Sequence, residues 1–262
     1  MWKRMLALVP VLATVGSTAR TTEAAAKWPE GWPDVVKRLE RGAFNEEDLL
    51  AARAACLQGL QAAELPRETE FAFRYSAAYA NWRLVRVPNA KREEQIPLHD
   101  EAAAHIRKAL ELDSKSAEAW GLLSAIYGSQ MGFVPAMGLE LGNHAAEAIQ
   151  QAVKLAPDNP RVVLFQGTSA FHTPPSYGGS VEAAEKHLRR AIQLFDSEPP
   201  ERPWPNWGRL DAHLWLGILL EKRGDREGAR AEYKKTLSID PEFGWARYVL
   251  LPRLDAQEAK SK

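Results

Sequence analysis

The chain has 262 residues, 45% of them hydrophobic, with 34 basic side chains balanced by 34 acidic ones. That length allows one or two domains, or an array that grows by stacking, and the apolar fraction with few low-complexity runs excludes a disordered chain. The charge balance leaves no global basic field that would draw in nucleic acid.

Lys3 and Arg4 open the chain, an apolar run follows from Met5 to Val15, and Ser17, Thr18 and Ala19 are small. This is the pattern of an export signal. Residues 1–19 are therefore expected to be a signal peptide, with Ala24 to Ala26 as a later cleavage site, and residues 20–33 a linker. The apolar run is short for a bilayer, so no stable membrane span is expected after cleavage. The expected location is periplasmic or secreted. Cys56 is the single cysteine, which rules out an internal disulfide and leaves a small core residue as its expected role.

Asp34 is expected to cap a short helix over Val35 to Arg41. Asn45 is expected to cap the next, with Glu46, Glu47 and Asp48 in its first turn, where the helix dipole favours acids. Pro66 breaks the chain before an aromatic-rich helix from Glu68 to Val87 that carries Phe71, Phe73, Tyr75, Tyr79 and Trp82. Two helical registers fit this segment, so its buried face is open. The polar stretch from Asn89 to Leu98 is expected as a loop, and Asp100 as the cap of a helix through Ala109.

Trp120, Leu123, Ser124 and Tyr127 recur at the spacing of one helix face. An enlarged turn from Gly128 to Leu141 is expected before Ala145, Ile149, Ala152 and Pro157. A helix from Pro160 carries Val163, Gln166, Gly167 and Ala170. A loop from His172 to Ser180 then leads to a helix with Ala184, Leu188 and Ala191, for which Ser180 is the natural N-cap. Glu198 to Gly208 is too proline-rich for a helix. From Leu210, the residues His213, Leu216, Gly217 and Leu220 share a face. Gly224 suits a left-handed helix end, Asp225 the next N-cap, and Pro241 stops the helix that carries Ala229, Tyr233 and Thr236. Gly217 and Ala229 are expected to face each other across that pair. Trp245 to Leu254 is expected as a closing helix interrupted at Pro252, with Ala256 to Lys262 frayed.

Leu210 to Phe243 spans 34 residues, the period of the tetratricopeptide repeat. Leu216, Gly217, Ala229, Tyr233 and Pro241 match that family's Leu-Gly, Ala, aromatic and Pro positions, while His213, Leu220 and Thr236 depart from it. Trp120, Leu123, Tyr127, Ala145 and Pro157 match them in the unit from Ala117, with Ser124 in place of Gly. The chain thus resembles the tetratricopeptide-repeat family. The resemblance implies an all-α, right-handed solenoid of about four to five antiparallel helix pairs. Divergent repeats are expected over 34–99, clear repeats over 100–243, and a capping helix and tail over 244–262. A weaker likeness rests on the Tyr-Gly-Gly of one loop before an alanine-rich helix. It is to exported bacterial repeat proteins, including the periplasmic helical component of some tripartite transporters.

No histidine pair has zinc spacing, Gly178-Gly179 lacks the lysine and spacing of a phosphate loop, and no nucleophile elbow is present. No catalytic residue, cofactor or metal is therefore expected. The family's groove positions, Gly121, Ala125, Leu214 and Ile218, are small or apolar, which argues against a clamp for a terminal carboxylate. What remains is a non-enzymatic module that binds an unknown protein or peptide, with a small-molecule carrier or periplasmic transport accessory as the alternative; assembly as an oligomer fits either. In a stacked array, every turn from first to second helix emerges on one edge, and insertions there often bind. The candidate partner-binding edge is Phe133, Met137, His172, Pro175 and Tyr177, on the enlarged turns expected at 88–98, 128–141 and 172–180.

Overall fold

The computed structural model of the chain describes residues 31–41, 45–86, 92–199 and 205–259. The signal peptide, and the linker up to residue 30, lie outside them. Eleven α-helices and no strand occur among the described residues: α1 (Trp32–Arg41), α2 (Glu46–Gly59), α3 (Arg67–Leu84), α4 (Arg92–Leu112), α5 (Ala117–Met131), α6 (Gly138–Leu155), α7 (Pro160–His172), α8 (Val181–Asp196), α9 (Arg209–Lys222), α10 (Arg226–Ile239) and α11 (Leu251–Ala259). They pack as five successive pairs, from α1 with α2 to α9 with α10, and α11 closes the end. The architecture is an all-α solenoid.

Capping chemistry sets five of the helix starts. The side chains of Asn45, Ser116, Asn159, Ser180 and Asp225 each accept a hydrogen bond from a first-turn backbone N–H. Each such cap stabilises its helix by about 1 kcal/mol. Gly224 takes the left-handed conformation, φ 86°, between α9 and α10.

Small residues let paired helices approach. A Cβ on Gly217 would lie 2.5 Å from the Tyr233 ring, so the glycine faces Tyr233 rather than Ala229, which is itself fully buried. A Cβ on Gly167 would likewise press on Leu188 at 2.9 Å. In α5 the corresponding small residue is Ser124, and its hydroxyl donates to the Ala145 carbonyl of α6 at 2.8 Å. The hydroxyl keeps the approach close while satisfying its own polar group.

Several expected boundaries move. The loop expected up to Leu98 is helix from Arg92, with Pro97 inside it, so Asp100 lies within α4 and is not a cap. The boundary expected between residues 99 and 100 therefore falls in mid-helix, and α3 and α4 form one unit. Residues 128–131 belong to α5, and 138–141 to α6, which leaves only Gly132 to Met137 as turn, ending in a single 3-10 turn. α1 begins at Trp32, ahead of Asp34. The closing helix is not interrupted at Pro252. A π-helical turn over Ala246–Leu250 precedes it and the helix runs on to Ala259. The wider turn takes up the proline, whose ring would clash with a carbonyl in a regular α-turn.

α3 is buried on nearly every side from Ala72 to Val85, which is why two registers fitted its sequence. One side meets α2 and α4: Arg53 of α2 donates to the Asn81 side chain at 2.6 Å, and Asn81 donates to Glu101 of α4 at 3.3 Å. On the other side lies Trp207, from the extended segment before α9. Its indole N–H donates to the Tyr75 hydroxyl at 3.1 Å. Its ring lies 4.9 Å from Tyr79, 6.3 Å from Trp82 and 5.4 Å from Phe165 of α7. Beside it Arg83 donates to Asp211 of α9 at 2.6 Å and to the Tyr79 hydroxyl at 3.0 Å, both charges being almost wholly buried. Burial opposes the guanidinium charge, but the Asp211 carboxylate more than offsets it and holds the Arg83 pKa above its usual value. Rings of Tyr79, Trp82 and Trp207 enclose the guanidinium at 5.0, 4.8 and 5.8 Å.

Removing one charge of a buried pair leaves the other uncompensated, a loss of about 3–5 kcal/mol. Asp211→Ala is therefore expected to lower the urea unfolding free energy by that amount. The double change of Arg83→Met with Asp211→Leu is expected to recover most of it, because no lone charge remains.

Candidate interaction surface

The family's usual binding face is the one shared by the first helices of each pair, here α3, α5, α7 and α9. In this protein it is occupied from within. Gly121 lies under the Phe165 ring, where a Cβ would come within 2.6 Å, and Leu214 is fully buried. Trp207 bridges α3 and α7 across the same face. Arg161 of α7 is buried beneath it and donates to Glu198 at 2.7 and 3.3 Å, with Glu118 of α5 at 3.7 Å. Among the described residues, Gly121, Leu214 and Trp207 leave this face filled, while Ala125 and Ile218 stay half-buried.

The edge where first helices hand over to second helices is different. Thr173 to Ser180 connects α7 and α8 as a turn held by its own backbone. The Gly178 N–H donates to the Pro175 carbonyl, the Gly179 N–H to Pro174 and the Ser180 N–H to Ala170, each at 3.1 Å. Gly178 has φ 89°, and a Cβ on Gly179 would strike the Thr173 carbonyl oxygen at 1.6 Å. Both glycines are therefore required by the turn. On it sits Tyr177, 78% exposed, with Pro175 exposed beside it. His172 ends α7 with its ring edge-on to Trp215 at 5.0 Å and to Phe171 at 5.1 Å. Burial, and then the positive charges of Arg86 and Lys222, hold its pKa below the usual imidazole value.

Phe133 and Met137 lie on the neighbouring turn between α5 and α6. Met137 is 40% exposed, whereas Phe133 is half-buried against the His99 ring at 4.8 Å. His99, which sequence reasoning did not single out, ties α4 to α5. Its Nδ1 lies 2.9 Å from the Gln95 carbonyl and its Nε2 2.9 Å from the Ser129 hydroxyl. The carbonyl can only accept, so Nδ1 carries the proton and Nε2 accepts from Ser129. The third expected turn lies mostly outside the described residues or within α4. The edge thus brings together an exposed Tyr177, Met137 and His172 with a half-buried Phe133. Cys56 is buried in α2, and burial pushes its thiol up to about 12, the chemistry of an inert core residue. Among the described residues no group of His, Cys, Asp and Glu could hold a metal ion, and no helix is long and apolar enough to cross a membrane.

Residues 143–199 and 210–243 each match a tetratricopeptide-repeat family model. The chain carries tetratricopeptide repeats over those residues. No curated protein sequence matches it. Among solved structures it is similar to the HusA haemophore from Porphyromonas gingivalis, at 17% identity and a TM-score of 0.60, over 74% of this chain and 96% of that one. It is also similar to a thermophilic repeat protein of Thermus thermophilus, at 17% identity and a TM-score of 0.48, over 80% and 97% of the two chains. At 17% identity the likeness to the haemophore is one of fold alone.

Burial lowers the His99 pKa below 6.5, the charge of Arg86 acts in the same direction, and the Gln95 carbonyl and Asp100 only partly oppose them. A histidine whose folded pKa is depressed destabilises the fold as it protonates. Stability is therefore full above the unfolded value, about 6.5, and is lost as pH falls through that value to the folded one. Urea midpoints are expected to drop on acidification through this window. His99→Gln, which can still accept from Ser129, is expected to flatten the drop without abolishing it, since the pKa values of His105, His172 and His187 are lowered too.

Proposed function

We propose that this protein is a protein–protein interaction module built on its repeats. We propose that it works outside the inner membrane after export, and that its partner, a folded protein or an extended peptide, is held at the edge of turns between first and second helices. The observation that carries this reading is the pairing of a filled first-helix face with an exposed Tyr177 on a rigid turn. An exposed tyrosine on a fixed backbone buries a large area on binding while losing little freedom. The neighbouring Met137 adds an adaptable apolar contact.

The test places a photo-crosslinking phenylalanine at Tyr177, or at the exposed Tyr248 near the other end of the chain, in the native host. A discrete adduct from position 177 and none from 248 is expected, and Tyr177→Ala should leave the melting temperature unchanged while the partner is lost. Equal adducts from both positions, or none from 177, would overturn the edge. N-terminal sequencing tests export separately: the mature chain should begin after Ala19 or within Ala24 to Ala26, and intact Met1 in a cytosolic fraction would refute it.

A further inference from the structure

The repeat-signature side chains of α5 are not all consumed by the core. α4 and α6 stand apart over α5, and between them lies a slot of about 380 Å³, within the range of small binding sites. Its floor is Trp120, Leu123 and Tyr127, with Leu110 and Ala148 at the sides. Trp120 is only half-buried, and its indole N–H donates to the Ser114 carbonyl at 3.0 Å, which fixes the ring.

The rim of this slot is polarised. Arg107 of α4 donates to the Tyr127 hydroxyl at 3.3 Å, and the His144 ring of α6 lies 5.4 Å from the Tyr127 ring. The two basic groups therefore flank the Tyr127 end. Glu111 follows Arg107 by one turn on α4, and Glu147 follows His144 by nearly one turn on α6. The chain reverses twice between α4 and α6, so both helices run the same way and both carboxylates are displaced by about 5 Å toward the Trp120 end. Both are exposed, and neither meets an ion-pair or hydrogen-bond partner among the described residues. A fixed indole face with a carboxylate on either side is complementary to a cation, by ring quadrupole and by charge together.

We propose that this slot is a second docking site, which takes a basic side chain of a partner protein. The guanidinium or ammonium lies on Trp120 between Glu111 and Glu147, and its aliphatic stem covers Leu123 and Tyr127. Arg107 repels the cation of the incoming segment, and Arg107 and His144 can donate to its backbone carbonyls, which together orient it. The site lies on the second-helix side of α5 and does not depend on the turn that carries Tyr177.

The test uses the full chain labelled with nitrogen-15, reading the indole N–H resonance of Trp120, identified by its loss in Trp120→Phe. Acetyl-arginyl-arginine amide is titrated against acetyl-glutamyl-glutamate amide and acetyl-tryptophan amide. The expected result is a saturable displacement by the arginine peptide at millimolar concentration, weakened at least tenfold in Glu111→Gln/Glu147→Gln and by added salt. Both glutamates are exposed, and the remaining resonances report whether the variant stays folded. No saturable displacement, equal response to the acidic or the neutral peptide, or an unchanged response in the folded double variant would each overturn the proposal. Tyr177→Ala should leave the titration unaltered, which separates this site from the edge.

Discussion

The contact between Arg83 and Asp211, sealed under Trp207, is the constraint on which this solenoid turns. A repeat array ordinarily touches only its neighbours. Here α3 and the start of α9 meet, although two whole helix pairs, α5 with α6 and α7 with α8, lie between them in the chain. The geometry explains why a charged pair can exist there. Arg83 has both a carboxylate and a phenol to donate to, and three aromatic faces around its guanidinium. The desolvation of both charges is offset only because these partners are fixed in place. The same contact pulls Trp207 across the first-helix face, so a device of folding decides which surfaces remain for other molecules.

Those surfaces then divide by chemistry. The turn edge presents an exposed tyrosine on rigid backbone, with a methionine on the neighbouring turn. The second-helix side offers a polarised slot around Trp120. Neither relies on a perturbed nucleophile or a clustered metal-ligand set, and the thiol of Cys56 is held protonated in the core. Arg161 shows the same economy of charge inside the molecule: it is buried, yet its guanidinium is occupied by Glu198 and lies near Glu118, so it holds the face closed.

Much of this was legible in the chain, and the failures have physical reasons. Leu216, Gly217, Tyr233 and Pro241 declared a repeat because period, small-residue approach and helix stop coincide there. Ser124 read as a departure and proved an equivalent, because a hydroxyl can donate to the carbonyl that a glycine would simply admit. The start of α4 was missed because charged and polar residues from Arg92 to Gln95 read as loop, and because Pro97 reads as a breaker. Trp207 could not be paired with Tyr75 from sequence, since no local pattern links an extended proline-rich segment to a helix so far back. Its one signal was a tryptophan in a polar, proline-rich stretch, which must find burial somewhere. Of the candidate edge, Tyr177 was foreseeable from the Pro-Pro and Gly-Gly that frame it. Phe133 was not, because its place against His99 depends on a helix whose start had been misplaced.

The long reach of the Arg83–Asp211 contact also orders events in time. The α3 helix can pair with its neighbours in the chain, but the indole that covers Tyr75, Tyr79 and Trp82 belongs to a distant segment, a separation of 132 positions from Tyr75. Closing so distant a contact is entropically slow compared with forming neighbouring helix pairs. Until it closes, a strip of tyrosine and tryptophan stays wet on an otherwise paired array. Any factor that recognises exposed aromatics therefore meets these side chains before the contact closes and not afterwards.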